Sequence, residues 1–189
     1  MSDWSTEGWW HGATWQASPN FGPRPAGCPV SLAVIHNISL PPGGFSGNYV
    51  EDFFLNRLDA AVHPYFETIS GLQVSSHFYI RRDGRVIQFV SADDRAWHAG
   101  PSRWCERENC NDWSVGIELE GTDDLAFEAA QYAALWALLA ALCQRYPLTD
   151  IAGHSHIAPG RKTDPGRCFD WGAVAARFPG LRLPPEVAA

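Results

Sequence analysis

Lysine is almost missing from this chain: Lys162 stands alone, and the other 13 of its 14 basic residues are arginine. Basic residues are outnumbered by 21 acidic ones, giving a formal charge of −7. That deficit argues against general nucleic-acid or anionic-membrane binding while leaving room for a local basic site. Long apolar runs are lacking too. The longest, Tyr132 to Cys143, has 12 residues, short of the roughly 20 a membrane span needs. The opening residues, MSDWSTEGWWHG, are polar and aromatic, with no Lys or Arg before Arg24. They lack the basic and apolar blocks of a secretory signal. A soluble, cytoplasmic protein is the expectation.

Cysteine is scarce and irregular. Cys28, Cys105, Cys110, Cys143 and Cys168 are odd in number and have no regular spacing, so reduced thiols are expected rather than a disulfide framework. Cys105 and Cys110 form a C-x4-C pair with no matching second half, which argues against a structural zinc knuckle. Cys143 falls among the apolar positions of a predicted helix and is expected in the core.

What is present suits one core. The chain has 189 residues, 46% of them hydrophobic and 19% charged, enough to bury an interior without staples. Residues 1–29 are rich in Trp, Pro and Gly and show no helical or strand period. They read as an N-terminal arm whose tryptophans pin it to the core, with sugar stacking as the alternative. Val30–Ile38 is a near-continuous β-branched run, as in a buried central strand. Pro41-Pro42-Gly43-Gly44 ends it and leads to a helix near Tyr49–Arg57. Arg82-Asp83-Gly84 separates Ser76–Arg81 from Arg85–Val90 as a hairpin turn would. Ser114–Glu120 alternates, with Val115, Ile117 and Leu119 on one face and Gly116, Glu118 and Glu120 on the other. Thr122-Asp123-Asp124 offers N-caps for a helix whose stripe is Leu125, Tyr132, Leu135, Trp136, Leu139, Leu142 and Cys143. Ile151–Ile157 reads as a short strand, Trp171–Phe178 as a last helix, and residues 179–189 as a tail. One hairpin and no βαβ alternation predict a mixed α/β fold, with a central mixed sheet and helices packed on its faces.

Seven histidines are the first candidates for chemistry. His11 lies in the arm and His63 in a loop. His77 reads as a satisfied interior histidine, and His98, in a tight loop, as a ring that could line a cleft. His36, His154 and His156 interrupt or end apolar β segments, where an imidazole costs free energy unless it is hydrogen-bonded or coordinated. Asp164 follows His154 by ten residues across a loop. A His-His-Asp set suits Zn²⁺ and leaves a fourth position for water. On the predicted strand His154 and His156 share a side, so spacing leaves open which one binds. Glu118 could be a general base near a metal-bound water, whereas Glu120 reads as an exposed strand carboxylate. Lys162, two residues before Asp164, would lie within reach of the metal, where a compact ammonium could stabilise an oxyanion.

The segments VIHNIS, RRDGRVIQFV, AWHAG, CNDWSVGIELEG and GHSHIAPGRKTDPG, running in order from about Val30 to Trp171, resemble the AmpD-type N-acetylmuramoyl-L-alanine amidases. These are zinc enzymes of bacterial peptidoglycan recycling with a fold like that of peptidoglycan recognition proteins. The resemblance implies an amidase domain at 30–178 with one zinc in a surface cleft, held by His36, His154 and Asp164. It also implies Glu118 as proton acceptor and Lys162 as transition-state stabiliser, and it gives His156 no ligand role. The substrate it implies is a soluble 1,6-anhydromuramyl peptide, cleaved between the lactyl group and L-alanine. Motif position suggests Asn37, Trp97 and Ala158 as cleft contacts, with Trp97 as a sugar platform. Two positions depart from the pattern: Gln73 and Asn109 stand where relatives often carry arginines that hold stem-peptide carboxylates. Weaker discrimination between stem peptides is expected, unless Arg107 or Arg103 takes over. A non-catalytic muropeptide-binding module of the same fold and a cysteine hydrolase using Cys168 or Cys105 are the competing readings.

Overall fold

The computed structural model describes residues 3–185. Its strands are β1 (Thr14–Trp15), β2 (Phe21–Gly22), β3 (Leu32–Ile38), β4 (Phe78–Ile80), β5 (Val86–Gln88), β6 (Arg95–Ala96), β7 (Arg103–Trp104), β8 (Arg107–Glu108), β9 (Ser114–Glu120) and β10 (Asp150–Gly153). The helices are α1 (Tyr49–Phe54), α2 (Pro64–Ile69), α3 (Ala129–Arg145), α4 (His154–Ile157) and α5 (Trp171–Arg177). A six-stranded sheet runs β1-β5-β4-β9-β3-β10. Four adjacent strands, β4, β9, β3 and β10, are parallel, and β5 is antiparallel to β4 across the expected hairpin. The mixed α/β architecture is as the sequence indicates. The β9–α3–β10 crossover departs from the expected lack of βαβ alternation: β9 and β10 both run parallel to β3, with α3 as the connection between them.

Strands buried on both faces need no clean apolar–polar alternation, and β9 is buried at all seven positions. Val115, Ile117 and Leu119 join Ala33 and Ile35 of β3 and Phe78 and Ile80 of β4 on one face. There α3 packs its stripe Leu135, Leu138, Leu139 and Leu142, each fully buried Leu contributing about 1.5–3 kcal/mol. The opposite face carries two apolar clusters, one around Phe54, Phe66 and Tyr79, the other around Leu32, Val34 and Trp113. The candidate site lies on this second face.

Several sequence expectations are corrected. The arm is pinned to the core by tryptophans as expected, Trp4 and Trp10 being buried against Phe78, but it is not irregular throughout, because β1 pairs with β5 at the sheet edge. Arg24 reaches from it to the carbonyls of Ala92, Asn111, Asp112 and Ser114. Helix α3 starts at Ala129 with Glu128 N–H bonded to Gln131 Oε1, not at Thr122–Asp124. Residues 121–127 instead fold against the sheet, where Phe127 occupies the space a Cβ on Gly121 would need. Leu125 is exposed, as is Cys143, because the i, i+3, i+4, i+7 stripe from Leu135 runs through Leu138 and leaves Cys143 at its margin. Residues 154–157 form a helical turn, not the end of a strand. Glu120 is buried, not exposed: it accepts the Arg82 backbone N–H at 2.9 Å and lies 3.8 Å from Arg81, which also pairs with Glu51 at 2.7 Å. Residues 186–189 of the expected tail lie outside the described residues; Arg182 before them pairs with Asp150.

Candidate metal centre and cleft

Parallel pairing does most of the assembly. His36 on β3 and Glu118 on β9 are register partners, so both side chains leave the sheet on one face. His154 enters from the next strand over, as the first residue of α4 directly after β10. Asp164 is brought back to it because its carbonyl accepts the Ser155 N–H at 2.9 Å. Gly153 leaves room for Pro165, whose Cδ would stand 2.6 Å from any Cβ there.

His36 Nδ1, His154 Nδ1 and Asp164 Oδ2 then form a triangle with all three sides 3.0 Å. Tetrahedral ligand atoms about 2.0–2.1 Å from zinc lie about 3.3 Å apart, so the triangle has the size of one face of such a site. Two imidazoles and one carboxylate are also the donor set zinc favours. The residues therefore fit a metal ion, and three protein donors would leave one of four tetrahedral positions for water or substrate. His156 is turned away: its Nδ1 accepts the Gly153 N–H at 2.9 Å and its ring packs edge-on against Trp171. In a helical turn 154 and 156 point in different directions, which removes the ambiguity that a strand reading created.

Electrostatics match the geometry. Burial, reinforced by the neighbouring His154, lowers the His36 pKa to about 4, so the ring is neutral and its lone pair is available. Burial alone would raise Asp164, but hydrogen bonds with His154 and His36 outweigh it and hold the carboxyl below the usual range. Glu118 is pushed well above that range by burial and then by the charge of Asp164, with Lys162 opposing. Its Oε2 is buried and has no hydrogen-bond partner.

These groups open onto a cleft of about 650 Å³, which Lys162, Asn37 and Trp97 also line. Asn37 donates to Asp123 at 2.7 Å, and Trp97 is tied by its backbone to Ser75. Phe53, Tyr65, Ile69 and Leu72 give the cleft an apolar wall. Ala158 does not line it: the residue is buried and ends α4, its carbonyl accepting the Lys162 N–H. Gln73 and Asn109 are exposed outside the cleft, and Arg103 and Arg107 are engaged with Glu106 and Trp113. Neither Cys105 nor Cys168 lines the cleft. Sequence reasoning missed Arg161 and Asp123, both cleft residues. Asp123 reads as a helix cap in the sequence, and only its loop packing against Gly166 reveals its place.

Residues 26–167 match a protein family described as N-acetylmuramoyl-L-alanine amidase, and the chain belongs to that family of hydrolases. It is 51% identical over 180 residues to the 1,6-anhydro-N-acetylmuramyl-L-alanine amidase AmpD of Citrobacter freundii, covering 94% of each chain. A crystal structure of a selenomethionine AmpD derivative superposes with a TM-score of 0.88 at 50% identity, covering 94% of this chain and 98% of that one. Within the family, then, this is an AmpD-type member. A human PGRP structure at 19% identity and TM-score 0.60, covering 90% of this chain and 98% of that one, shares the fold alone.

Proposed function

We infer that the protein hydrolyses the amide between the lactyl group of 1,6-anhydro-N-acetylmuramic acid and the L-alanine of the stem peptide, serving peptidoglycan recycling in the cytoplasm. The observation that carries this reading is the orphaned Glu118 Oε2 beside the His36–His154–Asp164 triangle. A buried carboxylate oxygen with no partner costs free energy unless a reacting proton or water uses it. The likeness to amidases named for the anhydromuramyl substrate supports the substrate class.

Zinc held by His36, His154 and Asp164 would acidify a water and polarise the amide carbonyl. Glu118 takes the proton of the attacking water at Oε2 and can return it to the departing alanine nitrogen. Lys162 faces the same cleft and donates to the carbonyl oxygen as it gains charge. Asn37, fixed by Asp123, and the half-buried Trp97 offer an amide and an aromatic face for the sugar and peptide.

Zinc analysis of purified protein, combined with release of free peptide from an anhydromuramyl peptide, tests the reading. One zinc per chain and loss of both metal and activity in His36→Ala, His154→Ala and Asp164→Ala are expected, with His156→Ala keeping most of the metal. A zinc-free, active wild type would refute it. With Gln73 and Asn109 offering only neutral hydrogen bonds, specificity constants for diaminopimelate-containing and amidated stems should differ little. A strong preference for the free carboxylate would point instead to Arg161, the arginine that lines the cleft.

A further inference from the structure

The loop Trp97–Ala99 meets the outer nitrogens of both histidines in the triangle. His154 Nε2 lies 3.1 Å from the Ala99 carbonyl, which can only accept, so Nε2 carries the proton and Nδ1 faces the triangle with its lone pair. His36 Nε2 has no such fixed partner. It lies 3.0 Å from Nδ1 of His98, whose Nε2 is in turn 3.2 Å from Ser114 Oγ.

Two proton arrangements satisfy this chain. In one, the Ser114 hydroxyl donates to His98 Nε2, His98 Nδ1–H donates to His36 Nε2, and His36 Nδ1–H donates to Asp164. In the other the two bonds through His98 are reversed and the one to Asp164 is given up: His36 Nε2–H donates to His98 Nδ1, and His98 Nε2–H donates to Ser114. Only the second frees the His36 Nδ1 lone pair. The same atoms therefore serve the site with and without a ligand ion, because imidazole and hydroxyl can each donate or accept.

The surroundings hold His98 in place for this. Its backbone N–H and that of Ala99 both donate to Asn111 Oδ1, at 3.1 and 2.8 Å. Its ring lies over Gly116, where a Cβ would approach within 2.5 Å of Cγ. The absence of a side chain at Gly116, on the Glu118 face of β9, is thus what makes room for the His98 ring.

Resting on the metal reading above, we propose that His98 is a positioning residue that accepts the His36 Nε2 proton and so fixes His36 in the metal-binding tautomer. Partners of this kind are worth about 10–100-fold in metal affinity. The test is zinc affinity of the full chain by chelator competition, for wild type, His98→Leu and His98→Asn. Leucine fills much of the ring's space but accepts nothing, whereas the asparagine Oδ1 can stand where Nδ1 stood. His98→Leu should lose about 10–100-fold in affinity, and His98→Asn should recover most of it. Long-range ¹H–¹⁵N spectra of zinc-loaded wild type should place protons on Nε2 of both His36 and His98, a readout that survives if a variant does not fold. Wild-type zinc affinity in His98→Leu, or a proton on His98 Nδ1 in the loaded protein, would overturn the assignment while leaving the metal site intact. A wild type that binds no zinc would remove the metal reading and this inference together.

Discussion

His36 and Glu118 face each other across one ladder step of two parallel strands, so that an imidazole and a carboxyl group with an unpartnered Oε2 project side by side from paired backbone positions. β3 and β9 pair over all seven residues, so the backbone positions from which both side chains project are fixed by the central sheet.

Glu118→Gln keeps the shape and removes the proposed base. It should retain zinc and the fold while turnover falls by roughly 10²–10⁴. Steady-state hydrolysis by metal-loaded protein checks this, and near-normal turnover would show that the proton goes elsewhere.

Lys162 separates two roles of charge. Lys162→Ala should lower kcat by roughly 10²–10³ with little change in KM, as for other lost oxyanion donors. Lys162→Arg keeps the charge but replaces a compact donor with a planar fork, and should restore only part of the rate. Full activity in the arginine variant would mean that charge alone suffices.

Glu120, two residues along the same strand face, makes a contrasting case. Its removal leaves the Arg82 N–H unpaired and takes one of two carboxylates from buried Arg81. Glu120→Ala should cost about 3 kcal/mol, the lower end for breaking a buried ion pair, because Glu51 remains. Urea unfolding at neutral pH would measure it, and a change under 1 kcal/mol would contradict the buried network.

His77 sets a pH dependence. Burial and then the charge of Arg24 lower its pKa to about 3, against about 6.5 in an unfolded chain. Between those values the unfolded form binds the extra proton, so stability falls as pH falls from about 6.5 towards 3. With chelator present, His77→Gln should be less stable throughout, yet lose about 1.4 kcal/mol per pH unit of slope inside that window. An unchanged slope would mean that His77 is charged in the folded protein.

The site was legible to the extent that local pattern determines it. The β-branched run around His36, the alternation around Glu118 and the ordered motifs pointed to His36, Glu118, His154, Lys162 and Asp164, all of which line one cleft. What escaped reading depends on distant partners. Two residues of pairing at Thr14 and Trp15 leave no period, so β1 became visible only beside β5. Glu118 and Glu120 have the same strand phase, and nothing local says that Arg81 waits beside one of them. Asp123 looked like a cap because Asp is common at caps, but its carboxylate is taken by Asn37, 86 residues away. His154 looked like strand because the helical turn it opens is only four residues long.

Arg24 gives the N-terminal segment a significance that motif boundaries conceal. Its guanidinium reaches four backbone carbonyls, three of them in residues 111–114, the stretch that feeds β9 and carries the Asn111 clamp. The family match begins at residue 26, just past this arginine. A fragment trimmed to the matched region would keep each residue of the triangle together with Glu118 and Lys162. It would nevertheless uncover the edge of β5 and strip Trp4 and Trp10 from Phe78. The boundaries of the matched region are therefore narrower than those of the packing that supports the cleft.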